Sequence, residues 1–134
     1  MGELKLEIKD YYVLLNLHKA LLEAKFHTNP DNPLVSASPI IADLSNELVD
    51  ILMKMDALKN ESRVEGWKKW RKIEGQLFYK DRAVKNATLT NRWLELNDEE
   101  KIKYVKTLLS PFEATEQELL SIIEEIEEEF VNKR

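Results

Sequence analysis

Residues 4–24 read LKLEIKDYYVLLNLHKALLEA, and their spacing decides the fold class. Leu4, Ile8, Tyr11, Leu15, His18 and Leu22 recur at intervals of four and three, which stacks them on one face of an α-helix. Leu14, Leu17, Leu21 and Ala24 widen that face until only a wedge around Lys5, Lys9, Asn16, Lys19 and Glu23 is polar. A helix apolar over more than half its circumference belongs at the centre of a fold or at an interface.

The helical period continues outward from this stretch. His27 to Asn32, with Pro30 and Pro33, breaks the first helix. Ser38-Pro39 then supplies an N-cap and a proline at the first helical position. A second helix follows, with Ile41, Leu44, Leu48, Ile51, Leu52, Met55 and Leu58 in its stripe and Asn60 at its end. Ser62-Arg63-Val64-Glu65 has the form of a capping box. It predicts a third helix over 63–85, with Trp67, Trp70, Leu77 and Val84 on one side and Gly66 and Gly75 inside it. Asn97-Asp98-Glu99-Glu100 opens a shorter helix carrying Ile102, Val105, Leu108 and Leu109, and Ser110-Pro111 turns the chain. Thr115-Glu116-Gln117-Glu118 is a further capping box, before a last helix with Leu119, Ile122, Ile123, Ile126 and Phe130. No segment alternates as a strand does. The expectation is an all-α protein: an antiparallel, up-and-down helical bundle of four to five helices, forming a single domain over residues 1–134.

Composition narrows the chemistry. The 134 residues are 43% hydrophobic and 34% charged, too apolar for a disordered tail. There is no Cys, which excludes disulfides, thiol catalysis, Cys-based zinc sites and iron–sulfur clusters. No 18 apolar residues follow one another, so no membrane span is expected. Charges interrupt the opening Met1–Glu7 too often for a signal peptide, and a cytoplasmic location is expected. Asn60-Glu61-Ser62 and Asn86-Ala87-Thr88 match the glycosylation acceptor pattern and are read as chance in a chain without an export signal.

The net charge of −5 is unevenly spread. Residues 61–92 carry nine basic and four acidic side chains, whereas residues 93–134 carry five basic and twelve acidic ones. A basic segment therefore lies between acidic ones, and the total disfavours general nucleic-acid affinity.

Three constellations could carry chemistry. In the expected third helix, Glu74 and Asp81 fall into the apolar stripe two turns apart, and His18 falls into the stripe of the first. Interior carboxylates and histidines of bundles can hold two metal ions, but the Glu-x-x-His repeat that marks such centres is missing. The blander reading pairs Glu74 and Asp81 with Lys or Arg near the stripe edge, and gives His18 a core hydrogen bond. The second constellation is Trp67-Lys68-Lys69-Trp70-Arg71-Lys72, where cations alternate with indoles. On a helix, Lys68, Lys72, Tyr79 and Arg82 share the face opposite the tryptophans, and Lys68, Lys69, Arg71, Lys72 and Arg82 are the candidate basic surface, one that could touch phosphates or be matched by the acidic last helix. The third, Asp43, Glu47 and Asp50 with Lys54, reads as a solvated helix flank.

No glycine-rich phosphate loop or nucleophile elbow is present, and no cofactor is implied. The expected function is a non-enzymatic protein-interaction or regulatory module. Its partner would be another protein or a second copy, since the wide apolar arc of helix one and a second line of Ala42, Val49 and Met53 on helix two suggest a homodimer. The alternatives are phosphate or nucleic-acid binding through the basic face of residues 63–85, and a metal-dependent bundle enzyme.

Overall fold

The computed structural model describes residues 7, 8 and 10–133. Leu4, Lys5 and Lys9 of the expected first helix, with the rest of the opening Met1–Leu6, lie outside the described residues. Six α-helices follow one another: α1 Tyr11–Lys25, α2 Pro39–Lys59, α3 Ser62–Arg71, α4 Leu77–Ala87, α5 Asp98–Leu109 and α6 Glu116–Asn132. Single 3-10 turns, Ile73–Gly75 and Arg92–Glu95, precede α4 and α5. Among the described residues no strand occurs, and an isolated backbone bridge joins Lys72 to Glu113. No described helix is long and apolar enough to cross a membrane.

Local chemistry sets the helix starts. The Asp10 carboxylate accepts a 2.7 Å bond from the Tyr12 N–H, and Ser38 Oγ accepts from the Ile41 N–H behind Pro39. Complete capping boxes open α5, through Asn97 and Glu100, and α6, through Thr115 and Glu118. The box expected at Ser62 and Glu65 does not form. Asn60 takes that role instead, its Oδ1 accepting from both the N–H and the hydroxyl of Ser62.

The third helix is the main departure from expectation. It stops at Arg71, and Lys72 is extended. Two bonds end it: Gln76 Nε2 donates to the Trp70 carbonyl at 2.7 Å, and the Glu113 N–H donates to the Arg71 carbonyl at 2.7 Å. Both carbonyls belong to the last turn, where no helical N–H remains to bond them. The Ile73 N–H returns a 2.9 Å bond to Glu113 and turns the Ile73 side chain inward. The expected run over 63–85 is thus two helices joined by a 3-10 turn, which raises the helix count to six.

Packing follows two groups. α1 lies on α2 and α2 on α3, around Leu14, Leu48 and Leu52 with Trp67 against them. α4, α5 and α6 pack on one another around Ala83, Ala87, Trp93, Val105, Leu109, Ile122 and Ile126. Phe26, Trp70, Tyr79 and Phe112 join the groups through ring contacts of 4.7–5.7 Å between centroids. Ala42 and Val49 are buried within the chain itself, so the second line of helix two is not an open surface.

Candidate functional site

Trp67 and Trp70 stand three residues apart and share one face of α3. Leu15, His18 and Leu22 share the facing side of α1. Between them lies an open cleft of about 630 Å³, with Gly66 at its α3 edge. The three rings sit nearly at right angles to one another. Centroid separations are 5.8 Å for His18 and Trp67, 5.4 Å for His18 and Trp70, and 5.5 Å for the two indoles. Both tryptophans are only half-buried, whereas His18 is 6% exposed and forms an inner wall. Burial, followed by the charge of Lys19, pulls the imidazole below its ordinary range, so His18 is neutral at pH 7.

The floor is Asp56, in the last turns of α2. Its Oδ2 accepts a 2.7 Å bond from Trp67 Nε1, and its Oδ1 lies 3.7 Å from the Arg63 guanidinium. Burial pushes this carboxyl upward, but the Trp67 and Tyr11 donors and the charges of Arg63 and Lys59 outweigh it and hold it below the ordinary carboxylate range. Asp56 therefore stays ionised and fixes one indole. Gly66 contributes an absence: a Cβ built there meets nothing within 4 Å, so this edge of the cleft is open.

The sequence candidates fare unevenly. His18 reaches the cleft, but Glu74 and Asp81 are not interior and do not approach it. Glu74 is exposed in the 3-10 turn, and Asp81 is exposed and paired with Lys85 at 3.6 Å. The break after Arg71 rotates both out of the tryptophan stripe and leaves Leu77 69% exposed. Among the described residues, no group of three His, Asp or Glu is placed to hold a metal ion.

Arg71 is not a surface cation. It is buried, donating to Asp50 Oδ1 at 2.6 Å, to the Pro111 carbonyl at 2.8 Å and to Asn46 Oδ1 at 3.1 Å, with Glu113 Oε1 at 3.2 Å. Lys68 and Lys69 on α3 and Lys72 just beyond its end are exposed, Lys68 beside Glu65 at 3.6 Å. Arg82 is half-buried on α4, 5.5 Å from the Phe78 ring. α6 meets the basic segment at α4, where Lys80 pairs with Glu125 at 3.3 Å. The basic face is thus divided: its α4 part is partly neutralised, and its α3 part is open.

Two polar residues that sequence reasoning passed over are central. Asp56 follows Leu52 by four, on the buried side of α2. Lys25 follows His18 by seven, on the same face of α1, and is 1% exposed. Its Nζ donates to the Thr107 carbonyl at 2.7 Å, and burial pulls its pKa down to about 7. Spacing alone marked both positions as inward-facing.

Compared with protein-family models, curated proteins and solved structures, the chain shows no significant match to any of them.

Proposed function

We propose that this chain is a non-enzymatic binding module that engages a protein partner through the cleft between α1 and α3. The observation that carries this reading is the pair of half-buried indoles, Trp67 and Trp70, facing an open volume of about 630 Å³. Interface energy concentrates in Trp, Tyr and Arg seated in such pockets. The cleft is large enough for one or two apolar side chains and its walls are held in place before anything binds, since Asp56 fixes Trp67 and the neighbouring rings brace one another. Catalysis is the weaker reading: among the described residues His18 is the imidazole beside the indoles, burial holds it neutral, and the carboxylate next to it is engaged by Trp67 and Arg63. Nucleic-acid binding is weaker as well, because Arg71 is withdrawn and the 63–85 face is divided. A cytoplasmic location, on the Cys-free composition, completes the proposal.

The test is site-specific photo-crosslinking in cells, from a benzophenone side chain placed at the exposed position of Lys19 on the cleft rim. The expected result is a discrete cross-linked protein that disappears when Trp70→Ala is added. Products that are unchanged by Trp70→Ala would refute the cleft as the contact.

A further inference from the structure

The charges around the cleft specify what it receives. Lys19 is exposed on the α1 side, and Arg63 projects from α3 with its side chain 53% exposed. At 3.7 Å from Asp56, Arg63 is ion-paired to it on one side, but none of its side-chain N–H groups makes a hydrogen bond among the described residues, and they remain available to a ligand. The lining contains one carboxylate, Asp56, which is 7% exposed in its side chain and bonded beneath Trp67. An incoming group therefore meets cations at the rim and apolar rings inside, and among the described lining residues it reaches no available acid. Lys69, further along α3, and Lys72, just past its end, have no ion-pair partner among the described residues and add to the positive potential.

Resting on the reading of the cleft as a protein-binding site, we propose that its occupant is an acidic peptide segment. An aromatic or branched apolar anchor enters between Leu15, Trp67 and Trp70, and flanking Asp or Glu side chains meet Lys19 and Arg63. A basic segment is repelled at the rim by both cations. A neutral apolar segment gains the pocket but leaves the Arg63 donors to water.

The experiment uses the full chain and three blocked peptides, acetyl-X-X-Phe-Leu-X-X-amide with X as Glu, Gln or Lys, together with 2-naphthoate as a small aryl acid. Binding is read from the fluorescence of Trp67 and Trp70 and from their indole N–H resonances. The Glu peptide is expected to bind about tenfold more tightly than the Gln peptide at low salt, with the Lys peptide weakest, and the gap is expected to shrink as salt screens the rim. In the double variant Lys19→Gln, Arg63→Gln, with its fold checked by circular dichroism, the Glu and Gln peptides should bind alike. Equal binding of all three peptides to the wild type, or tightest binding of the Lys peptide, overturns the acidic partner and leaves the cleft as a binding site. Binding of 2-naphthoate without any peptide overturns the peptide source. Failure of all four probes to move the Trp67 and Trp70 signals overturns the function on which the inference rests.

Discussion

Lys25 offers the sharpest quantitative test of the packing. It ends α1, it is 1% exposed, and among the described residues no carboxylate lies within ion-pair distance of it. Its Nζ has the Thr107 carbonyl at 2.7 Å and the Phe26 ring at 5.8 Å. Thr107 sits in the last turn of α5, where carbonyls lack helical donors and the helix dipole is negative, so a cation is partly welcome. Burial still dominates and takes the ammonium from 10.5 to about 7. At about 1.4 kcal/mol per tenfold, keeping this group charged inside the fold costs on the order of 5 kcal/mol. The folded pKa is below the unfolded one, so between about pH 7 and 10.5 the unfolded chain binds more protons, and stability rises with pH. Below pH 7 both states carry the proton and the full penalty is present. Linkage gives a gain of about 3 kcal/mol between pH 6 and pH 9 from this side chain alone.

Lys25→Met removes that slope. At pH 6 the variant avoids the buried charge but leaves the Thr107 carbonyl unbonded, a loss of about 1–3 kcal/mol. A net gain of about 2–4 kcal/mol is expected there, falling by about 3 kcal/mol and so to near zero by pH 9. Urea unfolding of both proteins at several values across that range measures the difference. His18 and the carboxylates titrate alike in the two proteins, so the difference isolates Lys25. A difference that stays constant with pH would refute the account, because it would mean that Lys25 keeps its charge in the folded state throughout.

Other substitutions probe the remaining elements. Arg71→Met should lower stability by about 2 kcal/mol, less than a deeply buried ion pair would lose, because Asp50 and Glu113 are 57% and 70% exposed and can return to water; Lys69→Met, on the open face, should stay within about 0.5 kcal/mol, both read from urea midpoints. Gly66→Ala should raise the melting point by about 4 °C, corresponding to about 1 kcal/mol of helix propensity with no new contact. Asp56→Asn should destabilise the fold at pH 6 and progressively less as pH falls, since the stabilising ionisation of Asp56 is present above the ordinary carboxylate range and is lost as pH drops through its lowered value. Thermal melts of both forms between pH 6 and pH 3 check this, and a gap that widened with acidity would contradict it.

Much of the helix framework is legible in the sequence, for local reasons. Caps at Ser38, Asn97 and Thr115 depend on residues within three positions of one another, and the stripes of α1, α2 and α6 obey the helical period. The break after Arg71 is not local. It is made by Glu113, about forty residues away, and by Gln76, a residue with no special preference for helix ends. A sign of it was nevertheless present. A continuous helix over 63–85 requires two carboxylates, Glu74 and Asp81, inside an apolar stripe, and burying them unpaired costs several kcal/mol. The chain avoids that cost by breaking the helix rather than by supplying partners. The same tertiary contacts decide the cations: from sequence, Arg71 is equivalent to Lys69 and Lys72, and only the positions of Asp50 and the Pro111 carbonyl make it the buried one.

The break and the cleft have a common origin. Were α3 continuous, Leu77 and Val84 would prolong the tryptophan stripe, and a neighbouring helix would have to cover all of it. Ending α3 at Arg71 lets α4 turn onto α5 and α6, where Val84 is buried and Lys80 finds Glu125. The indoles then form the end of a short helix that faces α1 across the cleft, and Gly66 supplies no side chain to fill the space between. Trp70 is held at that end from both sides, through the Gln76 bond to its carbonyl and through its ring against Phe112 at 4.7 Å. The apolar surface left open among the described residues is therefore a fixed feature of the chain path, held by hydrogen bonds and ring contacts on either side, as the proposed binding role requires.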